Sequence, residues 1–389
     1  MLQIAIFNKH QDIFEQVNIF VLSLQQATQA MKRLTYTLLL LFLPVFISYS
    51  TEQFIFTSIS QKHGLTSKVN CIYKELDGDV WIGTPNGLFR FNGNSLSRCE
   101  EEALQGNIQK FLMDKQNNFW ILTTTGLVCR RKGEDSFVSE QLPAGHNRSP
   151  FHSACLDEEG IWFGSYRKIF RYSYSTGKVE MFKSLSDRPV FICKSISRFN
   201  GNSLLCSSLN GMILLNTDTG EISEAPFCSR TEVAESYIDS HGYIWTSLYN
   251  NGIEVYDKEG NLIRKYTASQ SGLSCDIVLC FTELNGRIWA GTDGGGINII
   301  DLERDSITIL SHISGDRSSF PAHSIKSIYV DDHKNVWAGS IRDGLIKVSR
   351  SGMKTYPDVH IGMNNGLSNP TVLCIYQDAD SDMIWLGTD

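Results

Sequence analysis

The chain of 389 residues is 42% hydrophobic and 20% charged, a globular composition that excludes collagen-like, coiled-coil and intrinsically disordered proteins. Acidic residues outnumber basic ones, 42 to 35, and the net charge of −7 excludes the basic footprint of a nucleic-acid-binding protein. Aromatic residues make up 11% of the chain, with 31 glycines and only 9 prolines. This balance favours strands and tight turns over helices.

The first fifty residues predict an export signal. Residues 31–33 are a basic start, residues 38–47 are almost continuously apolar, and residues 48–50 offer small side chains for cleavage. The apolar run is shorter than the roughly 20 residues of a membrane span, although an uncleaved anchor is the alternative. Because a signal peptide lies at the N-terminus, we interpret residues 31–50 as the signal and residues 1–30 as an upstream extension. The protein is therefore expected to be exported to the periplasm.

Ten cysteines in an exported chain raise the question of disulfide bonds. Cys71, Cys280 and Cys374 recur in one phrase, Val-x-Cys, at the start of a predicted strand. A residue that recurs at one structural position is typical of a small buried side chain in a repeating core. No Cys-x-x-Cys pair supports a zinc or redox site. The sequence thus predicts structural thiols, and Cys99 with Cys228 is the pair to test first for a bridge.

One phrase accounts for all seven tryptophans. It is most complete at residues 77–88, which read Asp-Gly-Asp-Val-Trp-Ile-Gly-Thr-Pro-Asn-Gly-Leu. An eighth copy, at residues 200–207, has leucine in the tryptophan position. The copies lie about 43 residues apart on average, within the range of propeller blades. Their tryptophan positions are Trp81, Trp120, Trp162, Leu205, Trp245, Trp289, Trp337 and Trp385.

Each copy predicts four short antiparallel strands, which is the content of one propeller blade. An alternating apolar run comes first, and an Asp-Gly or Asn-Gly turn leads into the tryptophan strand. A Gly-Leu phrase then begins the third strand, and a polar turn leads to the fourth. Because strand side chains alternate, Gly83 faces the same side as Trp81. We expect this glycine to leave space for a large ring from the neighbouring sheet.

A lone strand over residues 54–57, Phe-Ile-Phe-Thr, precedes the first complete copy. We expect it to complete the last blade, which would remove an open sheet edge. The fold class is then all-β, a seven-bladed propeller of four-stranded antiparallel blades over residues 51–352. The copy at Trp385 stops before its Gly-Leu strand, so residues 353–389 predict the incomplete start of a further blade or second propeller. On this interpretation the chain is a fragment of a longer protein.

The phrase Val-x-x-Ile-x-x-Asp-x-x-Gly-x-Ile-Trp-x-Gly-Thr-x-x-Gly-Leu resembles the two-component regulator propeller repeat. Variants of it occur at residues 69–91, 278–299, 325–348 and 372–389. The Asn-Gly-Leu-Ser joint at residues 365–368 is similar to that family too, and the resemblance covers residues 51–389. It implies the periplasmic sensor region of a hybrid two-component histidine kinase of gut Bacteroidetes. Such a receptor would detect glycan-derived oligosaccharides and regulate genes for polysaccharide use.

The resemblance also implies a larger receptor, anchored in the inner membrane as a homodimer. This sequence has no phosphoacceptor helix, ATP-binding glycine boxes or receiver aspartate, so any kinase activity would lie beyond Asp389. We therefore expect no enzyme activity and no cofactor in this chain. We expect membrane contact only through the signal segment or a following C-terminal part.

Three segments that could suggest chemistry are better explained as turns. Residues 291–296, Gly-Thr-Asp-Gly-Gly-Gly, lack the lysine and the following helix of a phosphate loop. Residues 331–333 and 378–382 are rich in aspartate and fall in hairpin turns, where aspartate is common. One short loop supplies too few oxygen ligands for calcium. The sequence predicts neither a metal site nor a catalytic residue.

Candidate ligand-binding residues lie in the turns that follow each Gly-Thr phrase. These turns and the joints before each first strand are expected to share one end of the ring. Aromatic, amide and charged side chains there suit sugar or uronate recognition through stacking and hydrogen bonds. The alternative is that they are ordinary exposed turn residues. The candidates are Arg167, Tyr249, Asn250, Asp293 and Arg342.

Three functions stay open at this point. A sensor propeller would bind an oligosaccharide and would continue into signalling domains. An exported glycosidase or lyase would need carboxylates brought together across blades, which the sequence alone does not reveal. A structural or partner-binding propeller would do neither. The sensor is the hypothesis that the resemblance favours.

Overall fold

In the residues that it describes, the computed structural model has thirty strands and a short 3-10 turn, Glu102–Leu104. The predicted export signal, the upstream extension and Cys228 lie outside the described residues. The described residues are 54–59, 64–65, 67–145, 150–187, 191–208, 210–227, 232–316, 318–350, 371–377 and 384–388.

Seven four-stranded antiparallel sheets form the blades, here numbered in chain order. Blade 1 contains β2 (Cys71–Lys74), β3 (Val80–Thr84), β4 (Gly87–Phe91) and β5 (Leu96–Arg98). Blade 2 contains β6 (Ile108–Met113), β7 (Phe119–Thr123), β8 (Leu127–Arg130) and β9 (Val138–Ser139). Blade 3 contains β10 (Ser153–Leu156), β11 (Gly160–Ser165), β12 (Lys168–Ser173) and β13 (Lys178–Ser184). Blade 4 contains β14 (Ser195–Asn200), β15 (Ser203–Ser208), β16 (Gly211–Asn216) and β17 (Ile222–Glu224).

The remaining blades complete the ring. Blade 5 contains β18 (Val233–Ile238), β19 (Ile244–Leu248), β20 (Ile253–Tyr256) and β21 (Leu262–Tyr266). Blade 6 contains β22 (Val278–Leu284), β23 (Arg287–Thr292), β24 (Ile297–Asp301) and β25 (Ser306–Leu310). Blade 7 contains β26 (Ile325–Val330), β27 (Val336–Ser340), β28 (Leu345–Arg350) and β1 (Phe54–Ile59). The copy at Trp385 forms a separate hairpin of β29 (Val372–Gln377) and β30 (Ile384–Thr388).

The N-terminal strand closes the ring, as the sequence predicted. β1 pairs antiparallel with β28 along its whole length, with Phe56 opposite Val348. The Phe54 ring packs edge-on against Trp289 at 5.7 Å between centroids, and Phe56 packs against Phe320 at 5.3 Å. The seven-bladed all-β propeller is therefore confirmed, with its first and last segments joined in one sheet and extra strands following it.

The glycine two positions after the tryptophan has a different role from the one expected. A Cβ at Gly83 would collide with the Cys71 sulfur and lie 2.7 Å from Cγ2 of Ile108. Cys71 stands directly opposite Gly83 in blade 1, and Ile108 belongs to blade 2. The expectation of a large ring in this space was wrong. The glycine instead accommodates a thiol in its own blade and a branched aliphatic side chain of the next blade, because directly opposite side chains share one face.

The nine cysteines that the structure describes are free. Of the Val-x-Cys thiols predicted to be buried, Cys71 is buried, Cys280 is half-buried and Cys374 is exposed. Cys71, Cys129, Cys193 and Cys206 are buried. Burial raises the pKa of the Cys71 thiol well above its usual range, which keeps it protonated and unreactive.

An aspartate in the first hairpin turn holds the tryptophan in four blades. The indole Nε1 donates to a carboxylate oxygen at 2.7 Å in Trp120–Asp114, 2.8 Å in Trp245–Asp239 and 3.0 Å in Trp337–Asp331. Trp162 donates to Asp157 in the same way. The acidic turn at residues 331–333 thus has a structural role, since Asp331 also accepts hydrogen bonds from the backbone of His333 and Asn335.

Replacing Asp331 by asparagine is expected to remove an acid-sensitive part of the stability. Burial alone would raise the pKa of Asp331, but hydrogen bonds from Trp337 and Asn335 bring it below its usual range. A carboxyl with a lowered pKa stabilises the fold above its unfolded pKa, near 4, and loses that contribution as pH falls further. We expect Asp331→Asn to lower the free energy of unfolding by about 1–2 kcal/mol at pH 7 and by much less near pH 3.

Urea titrations at the two pH values measure this effect. The matched control is Asp332→Asn, at an exposed neighbour in the same turn. Equal losses at pH 7 and near pH 3 for Asp331→Asn would contradict the proposed role of its carboxylate charge.

Candidate functional site

The turns and joints predicted to share one end of the ring do so. Tyr249, after the second strand of blade 5, donates its backbone N–H to the carbonyl of Glu232 before the first strand, at 3.0 Å. In blade 6, Asp293 donates in the same way to Ile277, at 2.9 Å. We call this end, where first strands begin and second strands end, the upper face.

All five candidate residues occupy turns between second and third strands, so all five lie on the upper face. Arg167 is held against its own blade, because its guanidinium donates to the carbonyls of Leu185 and Ser186. Asp293 accepts a hydrogen bond from the Ser324 hydroxyl at 2.7 Å and thereby ties blade 6 to the joint before blade 7. These two side chains therefore have partners within the fold.

The other three candidates are exposed. Asn250 adopts a φ of 55°, a left-handed conformation that asparagine tolerates, so the turn itself accounts for this residue. Arg342 lies in the corresponding turn of blade 7 with an exposed side chain. Tyr249 is 64% exposed and also lines the central channel. Among the described residues, Tyr249 is the one candidate of the five that lines a cavity in the central channel.

That cavity has a volume of about 570 Å³ and follows the central channel at the upper face. Its walls come from the first strand, or the residue just before it, in every blade. Tyr249 joins them from the end of the second strand of blade 5, so the cavity and the predicted turns belong to one region of the molecule.

One residue per blade forms a ring around this cavity. In four blades the register of the first strand shifts at this residue, which forms a β-bulge. A bulge redirects a side chain out of the regular pleat. In blades 1, 3 and 4 it comes just before the strand, and its N–H donates to the second strand at 2.8–3.1 Å. We call these residues the inner ring: Asn70, Gln109, His152, Lys194, Ala234, Leu279 and Lys326.

The inner ring was not predicted from the sequence, although the repeat contains a feature that identifies it. Each member is the middle residue of a tripeptide that recurs at the start of the blades, Val-Asn-Cys at residues 69–71, Val-Leu-Cys at 278–280 and Ile-Lys-Ser at 325–327. The flanking positions are constrained by packing, since Val69 and Cys71 both pack against a glycine of a second strand. The middle residue faces the cavity and is free to differ from blade to blade. The variable middle residue of this recurrent tripeptide is the sequence feature that could have identified the inner ring.

The cavity carries charges of both signs. Lys110, Lys194 and Lys326 come from blades 2, 4 and 7, whereas Glu232 and Glu235 come from blade 5 and the joint before it. All three lysines are half-buried. Among the residues that the structure describes, none of the three lysines is in an ion pair.

Two basic groups in this region, His152 and Lys68, have lowered pKa values. Burial lowers the pKa of His152, and the charge of Lys194 lowers it further. Burial likewise lowers the pKa of Lys68, just before blade 1, and Lys326 adds to that shift. The inner ring therefore contains an imidazole that favours its neutral form and lysines whose charges repel nearby bases.

A possible cation cluster lies away from the cavity, at the first hairpin turn of blade 1. Carboxylate oxygens of Glu75, Asp77 and Asp79 lie within 4.8 Å of one another. Two of the three are already paired with arginines, Asp79 with Arg90 and Glu75 with Arg130. These ion pairs account for the cluster without a metal.

No protein-family model and no curated protein sequence matches this chain. Solved structures do resemble it. The extracellular domain assigned to a hybrid two-component system of B. thetaiotaomicron matches with a TM-score of 0.65 and 20% identity, over 86% of this chain and 47% of that one. A second such domain from the same organism matches with a TM-score of 0.62 and 18% identity, over 86% and 51%. The chain thus spans about half the length of these two structures.

An enzyme shares the fold as well. Virginiamycin B lyase from Staphylococcus aureus matches with a TM-score of 0.58 and 15% identity, over 76% of this chain and 99% of the lyase. At such identities the similarity extends to the propeller architecture and no further. Within the described ranges, no helix has the length and apolar character needed to cross a bilayer.

Proposed function

We propose that this chain is the ligand-sensing propeller of an exported two-component sensor histidine kinase of the two-component regulator propeller family. Its ligand is an oligosaccharide derived from a glycan, bound in the central channel at the upper face. The predicted export signal, the repeat phrase and the similarity to extracellular sensor domains support this assignment. On this proposal the full receptor is a homodimer in the inner membrane, and the kinase belongs to sequence outside this chain.

The cavity of about 570 Å³ is the observation that carries the proposal. Its size lies within the range of small-molecule binding sites. Tyr249 offers an exposed aromatic face for stacking on a sugar ring, and the amides of Asn70 and Gln109 suit hydroxyl groups. Because every blade contributes a lining residue, a bound ligand would contact several blades at once.

Calorimetric titration of the whole chain with a panel of plant and host oligosaccharides tests this function. We expect at least one to bind, and Tyr249→Ala to weaken that binding about tenfold through loss of the stacking face. Tyr166→Ala is the matched control, because Tyr166 is the first residue of the corresponding turn in blade 3 and does not line the cavity. Absence of binding across the panel, or equal losses in both variants, would contradict the proposal.

The alternative of an exported lyase or glycosidase has one observation in its favour. His152 lines the cavity, and its lowered pKa gives the neutral imidazole that a general base needs. Incubating the same panel with the chain and measuring cleavage separates the two functions. Turnover lost in His152→Ala would favour the enzyme, whereas neither binding nor turnover would favour a structural or partner-binding propeller.

A further inference from the structure

We propose that the central channel contains an anion site, formed by Lys110, Lys194 and Lys326, for a carboxylate or sulfate group of an acidic saccharide. The ligand class rests on the proposed function, because it assumes that the channel binds a saccharide. The anion site itself does not, since a simple inorganic anion can test it.

The positions of the three lysines favour one shared anion. They lie on blades 2, 4 and 7, so they are separated by two, three and two blades and are distributed almost evenly around the channel. Lys194 and Lys326 occupy inner-ring positions, and Lys110 follows the inner-ring residue Gln109. A lysine side chain keeps its charged end on the open side of an apolar wall, here the cavity.

Within the described ranges, no carboxylate pairs with any of the three lysines, although a charge in such a position usually has a counter-ion. A half-buried ammonium loses part of its hydration, and such groups in proteins are commonly paired. The pKa values of two neighbouring bases, His152 and Lys68, are already lowered by burial and by the charges of Lys194 and Lys326 respectively. An anion between the lysines would offset this repulsion, and the partly enclosed channel would strengthen its hydrogen bonds relative to bulk water.

The acidic residues of blade 5 define how the ligand would lie. Glu235 faces the same cavity, and Glu232 lies at its exposed edge. Carboxylates accept hydrogen bonds from sugar hydroxyls and repel a second carboxylate. The acidic group of the ligand would therefore lie against the lysines, with hydroxyl groups towards Glu235. Glu235→Gln should strengthen anion binding, by about twofold to fivefold, because one repulsive charge is removed.

Inorganic sulfate is the first probe, titrated into the whole chain at constant ionic strength. We expect sulfate to slow acetylation of Lys110, Lys194 and Lys326, read by mass spectrometry, more than equivalent chloride does. Lys194→Met and Lys326→Met should each weaken sulfate binding about tenfold, whereas Lys194→Arg, which keeps the charge, should retain most of it. Lys178→Met, on the exposed outer strand of blade 3, is the control.

Sulfate binding that is absent, or unchanged in the Lys194→Met/Lys326→Met double variant, would overturn the anion site. Thermal unfolding of each variant confirms that the propeller is intact.

Trigalacturonate and its full methyl ester, which differ in charge, then test the ligand class. Binding of the acid but not of the ester, with loss in the lysine variants, supports the proposal. Tighter binding of the ester, or acid binding indifferent to the lysines, would overturn it while leaving the oligosaccharide sensor intact. Lysine-dependent sulfate binding without binding of any oligosaccharide would retain the anion site and remove the proposed function.

Discussion

Gly339→Ala is expected to destabilise the propeller by about 2–4 kcal/mol, because it places a methyl group in the seam between blades 7 and 1. The added Cβ would lie 2.5 Å from Cγ1 and 2.7 Å from Cβ of Val69, and it would also collide with the Ser327 hydroxyl. Val69 precedes the first strand of blade 1, and Ser327 lies on the first strand of blade 7. Neither residue can move away cheaply, since the Ser327 hydroxyl donates to the Val69 carbonyl at 3.0 Å.

Urea unfolding followed by tryptophan fluorescence measures this change. Gly106→Ala is the matched control, because a Cβ there meets no atom within 4 Å and the residue has no positive φ. We expect the control to change the free energy of unfolding by less than about 0.5 kcal/mol. Similar losses in the two variants would show that the crowding at Gly339 is relieved by backbone shifts.

Deleting residues 54–59 is expected to have the largest effect, because it removes the strand that closes the ring. The third strand of blade 7, β28, would then be an open edge, and such edges pair with other chains. Trp289 and Phe320 would also lose the rings that pack against them. We expect the deletion variant to elute as aggregates in size-exclusion chromatography, unlike the intact chain.

A point variant tests the same closure in a chain that still folds. Phe56→Ala should lower the free energy of unfolding by about 2–3 kcal/mol, because its half-buried ring packs on Phe320. Ile55→Ala is the control, since Ile55 faces the other side of β1 and is 42% exposed. If the two variants lose equal stability, or the deletion variant still unfolds cooperatively and does not aggregate, the closing strand does not stabilise the ring as proposed.

Much of the architecture was predictable because its signals are local. The tryptophan spacing set the number of blades, Asp-Gly and Asn-Gly turns marked the hairpins, and an orphan apolar strand before the first blade pointed to ring closure. The same antiparallel order placed Tyr249 and the four other candidates on one face. The boundaries at residues 51–352 and 353–389 remain predictions.

The candidate site was only partly predictable. Tyr249 lines the channel, but Arg167 and Asp293 are held by partners that lie outside their own turns. The inner-ring residues Lys194 and Lys326 were not identified. Lys326 reaches the channel through a β-bulge, and Lys194 lies just before its strand begins. Regular alternation along a strand predicts neither position.

The repeat, the blade count and the end of the ring where loops gather could thus be predicted without a structure, because each depends on periodicity and turn chemistry. The packing of the blades was needed to show which side chains face the channel and why the repeated glycine is required. Both depend on contacts between blades, such as the bond from Ser327 to Val69, which joins residues 258 positions apart. Pairings at that distance exist only once the ring has closed.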